Sequence, residues 1–530
     1  MRSWGVISHG FAVLFILLAG ATAARVGAGD QGPAQCAPAV RATGTRAEGL
    51  RLGCHAAGFE LIRGLDRRRR INRDEGIRIG IAVWYPAKPP ANDATALAGM
   101  DYRLLERSTP PTEKERQTLE AEEVDTLVGW RHAGIVALTP AQAKASIETR
   151  GIAVPGAIAE QGRFPVAVVL GGPYYLSTTA EVLASHGVLV IAPFRFDDQS
   201  NELEGGDFRQ YVENSLGDAE WALEELSKDP RADLRPVTAL GHGGGGMQAM
   251  LLAMRNRSVT AVVNIDAGNF SKRSEPERNA FYGPRLMRVP YLYIATAATR
   301  KDQDRFDDFV AMQFSERTEV VFGANDIRHH DLSDIGRAVT MPMRLRGEAQ
   351  MTVEKAYAGV HEMLVRFIGE HSSRTRSTPS PLVAWLESHK ATDNLTVTLR
   401  PAIEPAPTTR AAIESLSDST LANLKDARQR DPEAPLFEEY NLRELVAAAS
   451  VRRASMAAPL AEFAVGLHPA SAVLLAQASE IVLAAGDRSK AIETARACAA
   501  LKPEADWQAS IAVGKCTALL QRLPPGSPQP

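Results

Sequence analysis

The fold of this 530-residue chain is decided by one stretch, Pro236-Val237-Thr238-Ala239-Leu240-Gly241-His242-Gly243-Gly244-Gly245-Gly246-Met247-Gln248-Ala249-Met250. It opens with a short apolar and β-branched run, passes through a cluster of glycines and ends in an apolar segment suited to a helix. A strand, a tight turn and a helix in this order form a nucleophile elbow, usually written G-x-S-x-G. The stretch therefore predicts a strand-to-helix turn that exposes the residue at its tip.

The residue at the tip of this turn departs from the pattern. Gly241 and Gly245 occupy the outer positions, and Gly243 stands where serine is expected. Because glycine has no side chain to form a covalent intermediate, the sequence predicts the frame of a nucleophile site without its nucleophile. A glycine run before a helix can also cradle a phosphate. The stretch lacks both the P-loop Lys-Ser/Thr and a dinucleotide-binding context, which argues against a nucleotide site.

Length and composition predict an ordinary globular protein of two or three domains. The chain is 45% hydrophobic and 23% charged, with a net charge of −3. No excess of basic residues favours nucleic acid as a partner.

The N-terminus has the features of a secretory signal. Arg2 precedes an apolar run over residues 10–20, and Ala21-Thr22-Ala23 follows as a cleavage site. We therefore expect residues 1–23 to be removed and the protein to be secreted or periplasmic. An uncleaved anchor is the alternative, although the apolar run is short for a membrane span. No later stretch predicts a span.

The four cysteines form two pairs that are close in sequence. Export to an oxidising compartment and an even count predict disulfides. We favour Cys36 with Cys54 and Cys498 with Cys516, because each pair falls in a different predicted domain. Four free buried thiols are the alternative.

Apolar, strand-like segments recur from the N-terminal third to the middle of the chain. They are 59–62, 77–86, 164–170, 188–193, 259–265 and 289–294. The later ones are almost continuously apolar and alternate with helix-like segments, which indicates a parallel sheet covered on both faces. The predicted fold class is α/β over residues 24–371. We expect the polar, helix-prone residues 100–160 to be either a lid over a pocket or an insertion.

The C-terminal part is predicted to be entirely helical. Residues 372–408 are rich in Ser, Thr and Pro and are predicted as a linker. Within the helical domain at 409–522, residues 472–503 resemble one tetratricopeptide repeat, with a generic helical bundle as the alternative. Residues 523–530 are predicted to be a disordered tail.

Residues 59–371 resemble the α/β-hydrolase superfamily, and within it the dienelactone hydrolases and platelet-activating-factor acetylhydrolases. The resemblance rests on the elbow, the Trp84-Tyr85-Pro86 strand, the Phe164-Pro165 entry to a core strand and the helix end at 183–187. It implies an α/β-hydrolase fold, a mostly parallel sheet with helices on both faces. It does not extend to the helical tail.

The resemblance also implies the partners of the missing nucleophile. The acid matches Asp266, 23 residues after Gly243, and the base matches His329 in a segment of the form His-x-x-apolar-small-Asp. His330 is the second candidate for the base. Backbone donors to a carbonyl oxygen would come from Gly172, Tyr174 and Gly244.

The sequence leaves open a scaffold role, in which the hydrolase-like domain serves only as a folded block, and two functions that use the site. In the first, the chain is a catalytically impaired hydrolase that binds an ester-like or lipid-like ligand, with a protein partner on its helical region. In the second, it is an active esterase in which Asp266 and His329 activate water, or in which Ser177, Thr178 or Tyr175 supplies the hydroxyl. A metal site at 329–331 lacks a second ligand cluster, so we expect no metal and no cofactor. We expect neither nucleic acid nor a membrane span in the mature protein.

Overall fold

The computed structural model describes residues 38–71, 75–90, 94–129, 139–196, 208–270, 279–334, 348–373, 378–502 and 506–523. The predicted signal peptide, Cys36 and residues 524–530 of the predicted tail lie outside them. In this part of the chain, no helix combines the length and the apolar character that crossing a membrane requires.

Ten strands in the described residues form one sheet. They are β1 (Ala56–Ile71), β2 (Glu75–Ala87), β3 (Ala153–Pro155), β4 (Phe164–Leu170), β5 (Leu189–Arg195), β6 (Ala232–His242), β7 (Ala261–Ile265), β8 (Tyr291–Thr296), β9 (Arg317–Phe322) and β10 (Leu395–Arg400). Their spatial order is β10-β9-β8-β7-β6-β4-β5-β2-β1-β3.

The pairing directions identify the fold. Strands β4 to β9 are mutually parallel wherever they pair, whereas β2 runs antiparallel to both β1 and β5. This order, with an antiparallel second strand and a strand exchange at β5-β4, is that of the α/β-hydrolase fold. The predicted fold class is confirmed.

Seventeen helices are described along the chain. They are α1 (Gly99–Leu104), α2 (Glu113–Gly129), α3 (Pro140–Glu148), α4 (Ser177–Ser185), α5 (Phe208–Leu226), α6 (Gly244–Arg255), α7 (Ala297–Lys301), α8 (Asp307–Ala311), α9 (Glu348–Ser372), α10 (Pro381–His389), α11 (Thr409–Glu414), α12 (Thr420–Arg430), α13 (Glu439–Arg452), α14 (Ala454–Leu467), α15 (Ala472–Ala484), α16 (Arg488–Ala499) and α17 (Trp507–Arg522).

Both faces of the sheet are buried, which explains the continuous apolar runs. Along β4, Val166 and Val168 pack with α5 and α6 on one face. Ala167 and Val169 point the other way and pack with α4 and α9. Successive side chains of a strand face opposite sides, so a strand covered on both sides must be apolar at every position.

The segment predicted as a linker, 372–408, contains regular structure. Ser380 accepts a hydrogen bond from the Val383 N–H at 3.1 Å, and Pro381 opens α10. Farther on, β10 alternates Leu395, Thr396 and Val397 and pairs with β9 at the edge of the sheet. Serine and proline are common at the starts of helices as well as in linkers, so composition alone does not distinguish a helix start from a linker.

Helices α11–α17 follow the sheet and have apolar cores of their own. Cys498 in α16 and Cys516 in α17 form a disulfide. Cys54 is also disulfide-bonded, and its predicted partner Cys36 lies outside the described residues. On the sheet side, Arg285 donates to Asp431 at the end of α12, which ties the helical region to the sheet.

Candidate functional site

Gly243 lies between β6 and α6 in a conformation that few residues adopt. Its φ is +55° and its ψ is −124°, and its N–H donates to the Ile265 carbonyl at 3.0 Å. Side chains with a Cβ are strained at such positive φ values. The turn thus has the sharp, strained strand-to-helix geometry of a nucleophile elbow, held by the neighbouring strand.

The outer glycines of the pattern are required by close packing. An ideal Cβ on Gly241 would lie 2.2 Å from the carbonyl carbon of Gly245. A Cβ on Gly245 would lie 2.2 Å from the carbonyl oxygen of Leu170, at the end of β4. The start of α6 therefore packs so closely against the end of β4 that no side chain fits between them.

Asp266 follows β7 and is completely buried. Its Oδ1 accepts the Thr296 N–H at 2.6 Å, and its Oδ2 accepts the Thr299 hydroxyl at 2.9 Å. Both donors come from the junction of β8 and α7. A buried carboxylate needs such donors to offset its desolvation, and together they fix the direction of the remaining lone pairs.

His329 opens a 3₁₀ turn that follows β9. Its Nδ1–H donates to Oδ2 of Asp266 at 2.9 Å. This bond assigns the proton to Nδ1 and leaves the lone pair on Nε2. An ideal Cβ on Gly243 lies 3.2 Å from Nε2, so the imidazole faces the place that a nucleophile at position 243 would occupy.

The structure therefore brings together Gly243, Asp266 and His329. All three follow the carboxyl ends of parallel strands, which meet at one edge of the sheet. Asp266 bonds to His329 and not to His330, the second candidate. In the described residues, no group of three or more His, Cys, Asp or Glu side chains is placed to hold a metal.

No substitute hydroxyl lies beside Gly243 in the described residues. Apart from its chain neighbours, only Nε2 and Cε1 of His329 lie within 4 Å of the ideal Cβ. Ser177 is buried and donates to the Tyr174 carbonyl at 3.3 Å. Thr178 is buried at the start of α4, and Tyr175 is 46% exposed. The three hydroxyl residues considered from the sequence therefore stay away from the tip of the turn.

The loop after β4 is the second wall of the site. Gly171 and Gly172 have φ values of +98° and +95°, and an ideal Cβ on Gly171 lies 3.4 Å from Cα of Gly245. Tyr174 is buried, which raises the pKa of its hydroxyl. Gly244 is the first residue of α6, where N–H groups have no acceptor within the helix. The role of the Gly172, Tyr174 and Gly244 N–H groups as donors to a carbonyl oxygen stays a prediction.

His242 is a site residue that the sequence reading missed. Its ring stacks on that of His329 at 4.4 Å between centroids and 30° between planes, and its Nε2–H donates to the His329 carbonyl at 2.9 Å. Burial, with a smaller effect of His329, lowers the pKa of His242 to about 3. The available signal was its place directly before the tip of the elbow.

Asp334 is a second residue with a role that the sequence did not reveal. Its carboxylate accepts the N–H groups of Thr178 and Thr179 at 2.6 and 3.1 Å and the Tyr357 hydroxyl at 2.7 Å. It thus caps α4 from a distant part of the chain. Since α4 follows the loop after β4, Asp334 links the segment that contains His329 to that loop. The available signal was the position of Asp334 as the last residue of the pattern His-x-x-apolar-small-Asp that begins at His329.

Part of segment 100–160 lies against the mouth of the site. The Glu106 Oε1 atom is 3.8 Å from an ideal Cβ on Gly172. Arg103 in α1 holds Glu106 at 3.0 Å and Glu123 of α2 at 3.2 Å. Helices α1 and α2 are therefore joined beside the loop after β4.

Comparisons with known proteins find similar solved structures but no matching family. No protein-family model matches the chain, and the search of curated proteins finds no match. A ferulic acid esterase from Streptomyces cinnamoneus is 16% identical, with a TM-score of 0.45, over 65% of this chain and 96% of its own.

Two further solved structures are similar. A dienelactone hydrolase-like promiscuous phosphotriesterase from metagenomic libraries is 14% identical over 58% of this chain and 99% of its own, with a TM-score of 0.31. An acylaminoacyl peptidase from Pyrococcus horikoshii is 12% identical over 60% of this chain and 43% of its own, with a TM-score of 0.35. Strand order and pairing, rather than these scores, identify the fold.

Proposed function

We propose that this protein binds an ester-like or lipid-like acyl ligand at the site around Gly243 and His329, and that it forms no acyl-enzyme at position 243. The observation that carries the proposal is what surrounds Gly243: apart from its chain neighbours, His329 supplies the only described atoms within 4 Å of an ideal Cβ. Loss of the nucleophile from a catalytic triad lowers turnover by about a millionfold. Binding by the surrounding groups survives such a loss.

The surrounding groups support an acyl ligand. The N-terminus of an α-helix such as α6 carries partial positive charge and N–H groups that the helix turn leaves for outside acceptors, which favours a carbonyl or carboxylate oxygen. Tyr175, in the loop after β4, is 46% exposed and offers an aromatic surface to an apolar chain.

Binding is tested by titration calorimetry with ethyl octylphosphonate, a tetrahedral analogue of a hydrolysing ester. We expect saturable binding to the wild type and clearly weaker binding to Gly243→Leu, whose side chain would enter the site. Gly466→Leu is the control, because a Cβ at that position in α14 meets nothing within 4 Å. Equal affinity of wild type and Gly243→Leu would place the ligand elsewhere.

The impaired chemistry is tested with a fluorophosphonate probe, which labels activated serines. We expect no labelling at position 243 in the wild type, labelling in Gly243→Ser and none in Gly243→Ser/His329→Ala. Absence of labelling in folded Gly243→Ser would mean that His329 and the backbone donors are not positioned to activate a serine at position 243.

A second candidate function is slow ester hydrolysis in which His329 activates water. It is favoured by the position of Nε2, which faces the ligand side of Gly243 while Asp266 holds Nδ1. Short p-nitrophenyl esters would then be hydrolysed by the wild type and much more slowly by His329→Ala and Asp266→Asn. Turnover no greater than that of His329→Ala excludes this candidate.

Export and the organisation of the chain are part of the same proposal. We propose that residues 1–23 direct export to the periplasm or the medium, that 24–371 act as the hydrolase-like domain and that 409–522 contact a protein partner. The disulfide Cys498–Cys516 is consistent with an oxidising compartment. A groove of about 490 Å³ between α13, α15 and α17, which exposes Tyr440, Trp507 and Ile511, supports a contact surface in the tetratricopeptide-like region.

A further inference from the structure

The absence of a side chain at position 243 exposes the base itself. In a triad, the nucleophile stands between the base and the acyl group. Here the ideal Cβ position of residue 243, 3.2 Å from Nε2 of His329, is occupied only by a hydrogen. The His329 side chain is 38% exposed. An acyl carbon seated above the elbow can therefore approach Nε2 directly.

The environment of His329 favours attack by Nε2. The bond from Nδ1–H to Asp266 places the lone pair on Nε2, and the bonds that Asp266 accepts from Thr296 and Thr299 prevent the carboxylate from turning away. Acylation of Nε2 makes the ring cationic, and the Asp266 carboxylate beside Nδ1 stabilises that charge. His242, stacked on the ring and bonded to the His329 carbonyl, limits rotation of the imidazole.

We propose that His329 Nε2 is itself an acyl acceptor, so that the protein transfers activated acyl groups to water through an acyl-imidazole. The inference rests on the proposed binding of an acyl ligand at this site and adds a covalent step to it. Histidine is an established covalent nucleophile in enzymes.

The step balances without a co-reactant other than water. The Nε2 lone pair attacks the carbonyl carbon, a C–N bond forms and the bond from that carbon to the leaving group breaks. The leaving group departs as an anion with the bonding electron pair, while the Nδ1 proton stays on the ring against Asp266. Water then attacks the acyl carbon, the C–N bond breaks and its electron pair returns to Nε2. The products are the free leaving group, a carboxylate and protons released to solvent.

This chemistry selects a substrate class. The tetrahedral adduct expels whichever group leaves more easily, and imidazole is a better leaving group than an alkoxide. Simple alkyl esters would therefore revert to starting material. Phenyl esters, mixed anhydrides and acyl phosphates, whose leaving groups are stabilised anions, would go forward.

The test uses p-nitrophenyl dimethylcarbamate with the full-length mature protein, because a carbamoyl-imidazole survives long enough for peptide mass mapping. We expect one carbamoyl group, on His329, and stoichiometric release of p-nitrophenolate. His329→Ala should show neither. In Gly243→Ser the adduct should move to position 243. Labelling of His371 or His389 at the same rate as His329 would overturn the inference as non-specific chemistry.

Gly243→Ala gives the sharpest comparison. Its methyl group would lie 3.2 Å from Nε2 and obstruct the approach without supplying a nucleophile. We expect the labelling rate to fall by about tenfold or more, equivalent to about 1.4 kcal/mol of activation free energy. Gly156→Ala is the control for backbone strain, since Gly156 also has a positive φ, +68°, and its Cβ would meet nothing within 4 Å. Circular dichroism verifies that both variants are folded.

The failure of this inference differs from the failure of the proposed function. Saturable ethyl octylphosphonate binding without a His329 adduct overturns the acyl-imidazole and leaves the binding function in place. An adduct formed equally in wild type and Gly243→Ala also overturns it. If the wild type does not bind ethyl octylphosphonate, the binding function on which the inference rests is contradicted.

Discussion

The Nδ1 atom of His329 lies 2.9 Å from the Oδ2 atom of Asp266, although 63 residues separate them along the chain. Asp266 follows β7 and His329 follows β9, and both strands run parallel in the same sheet. The contact joins two loops at one edge of the sheet, directly beside Gly243. It gives the site an oriented imidazole although the turn carries no nucleophile.

Packing at the elbow predicts a large difference between two adjacent glycines. Gly245→Ala would place a Cβ 2.2 Å from the Leu170 carbonyl oxygen, which belongs to the backbone and cannot move aside. We expect a loss of more than about 3 kcal/mol in unfolding free energy, at the upper end of single-residue effects. Gly244→Ala meets nothing within 4 Å and should change it by less than about 1 kcal/mol. Urea unfolding measures both, and equal losses would contradict this packing.

The half-buried His242 predicts a dependence of stability on pH. Its pKa is about 3 in the folded protein and 6.5 when unperturbed, so below pH 6.5 the unfolded chain binds a proton that the folded chain does not. Stability should therefore fall as pH falls from 6.5 towards 3. His242→Gln keeps a donor for the His329 carbonyl and removes the titration, so its stability should fall less steeply. Urea unfolding at pH 7 and pH 4.5 compares the slopes, and identical slopes would refute the assignment.

The cap that Asp334 places on α4 predicts a strong effect of its removal. Asp334→Ala would remove the buried carboxylate that accepts the Thr178 and Thr179 N–H groups and the Tyr357 hydroxyl. We expect a loss of about 3–5 kcal/mol in unfolding free energy. Asp426→Ala is the control, because its exposed carboxylate pairs with Arg430 one turn away. This substitution should cost less than about 0.5 kcal/mol. A comparable loss in both variants would show that the cap contributes little.

The disulfide between α16 and α17 predicts the stability of the helical region. Cys498 and Cys516 close a loop with a sequence separation of 18 residues. Removing such a crosslink raises the entropy of the unfolded chain and costs about 3 kcal/mol. The double variant Cys498→Ala/Cys516→Ala should therefore unfold at lower denaturant concentration, as measured by circular dichroism. The wild type in reducing agent, which also opens the disulfide of Cys54, should be destabilised at least as much. Unchanged midpoints in both would argue against a structural role.

The α/β part of the fold could be predicted because its signals are local. Continuous apolar runs such as 164–170 mark strands buried on both faces, and the glycines around Gly243 mark a strand-to-helix turn. The edge strand β10 was missed, since its residues Leu395–Arg400 lie in a Pro-rich segment with the composition of a linker. Its pairing with β9 depends on a neighbour more than seventy positions away.

The local sequence pattern was enough to predict the elbow and the glycine at its tip. The candidates Asp266 and His329 came from the resemblance of residues 59–371 to the α/β-hydrolase superfamily. The three-dimensional structure was needed to show that Asp266 bonds His329 rather than His330, that His242 stacks on His329 and that Asp334 caps α4. It also showed that His329 supplies the only described atoms beside Gly243, apart from its chain neighbours. These contacts join residues from different strands and loops, and their distances follow from packing in three dimensions rather than from spacing along the chain.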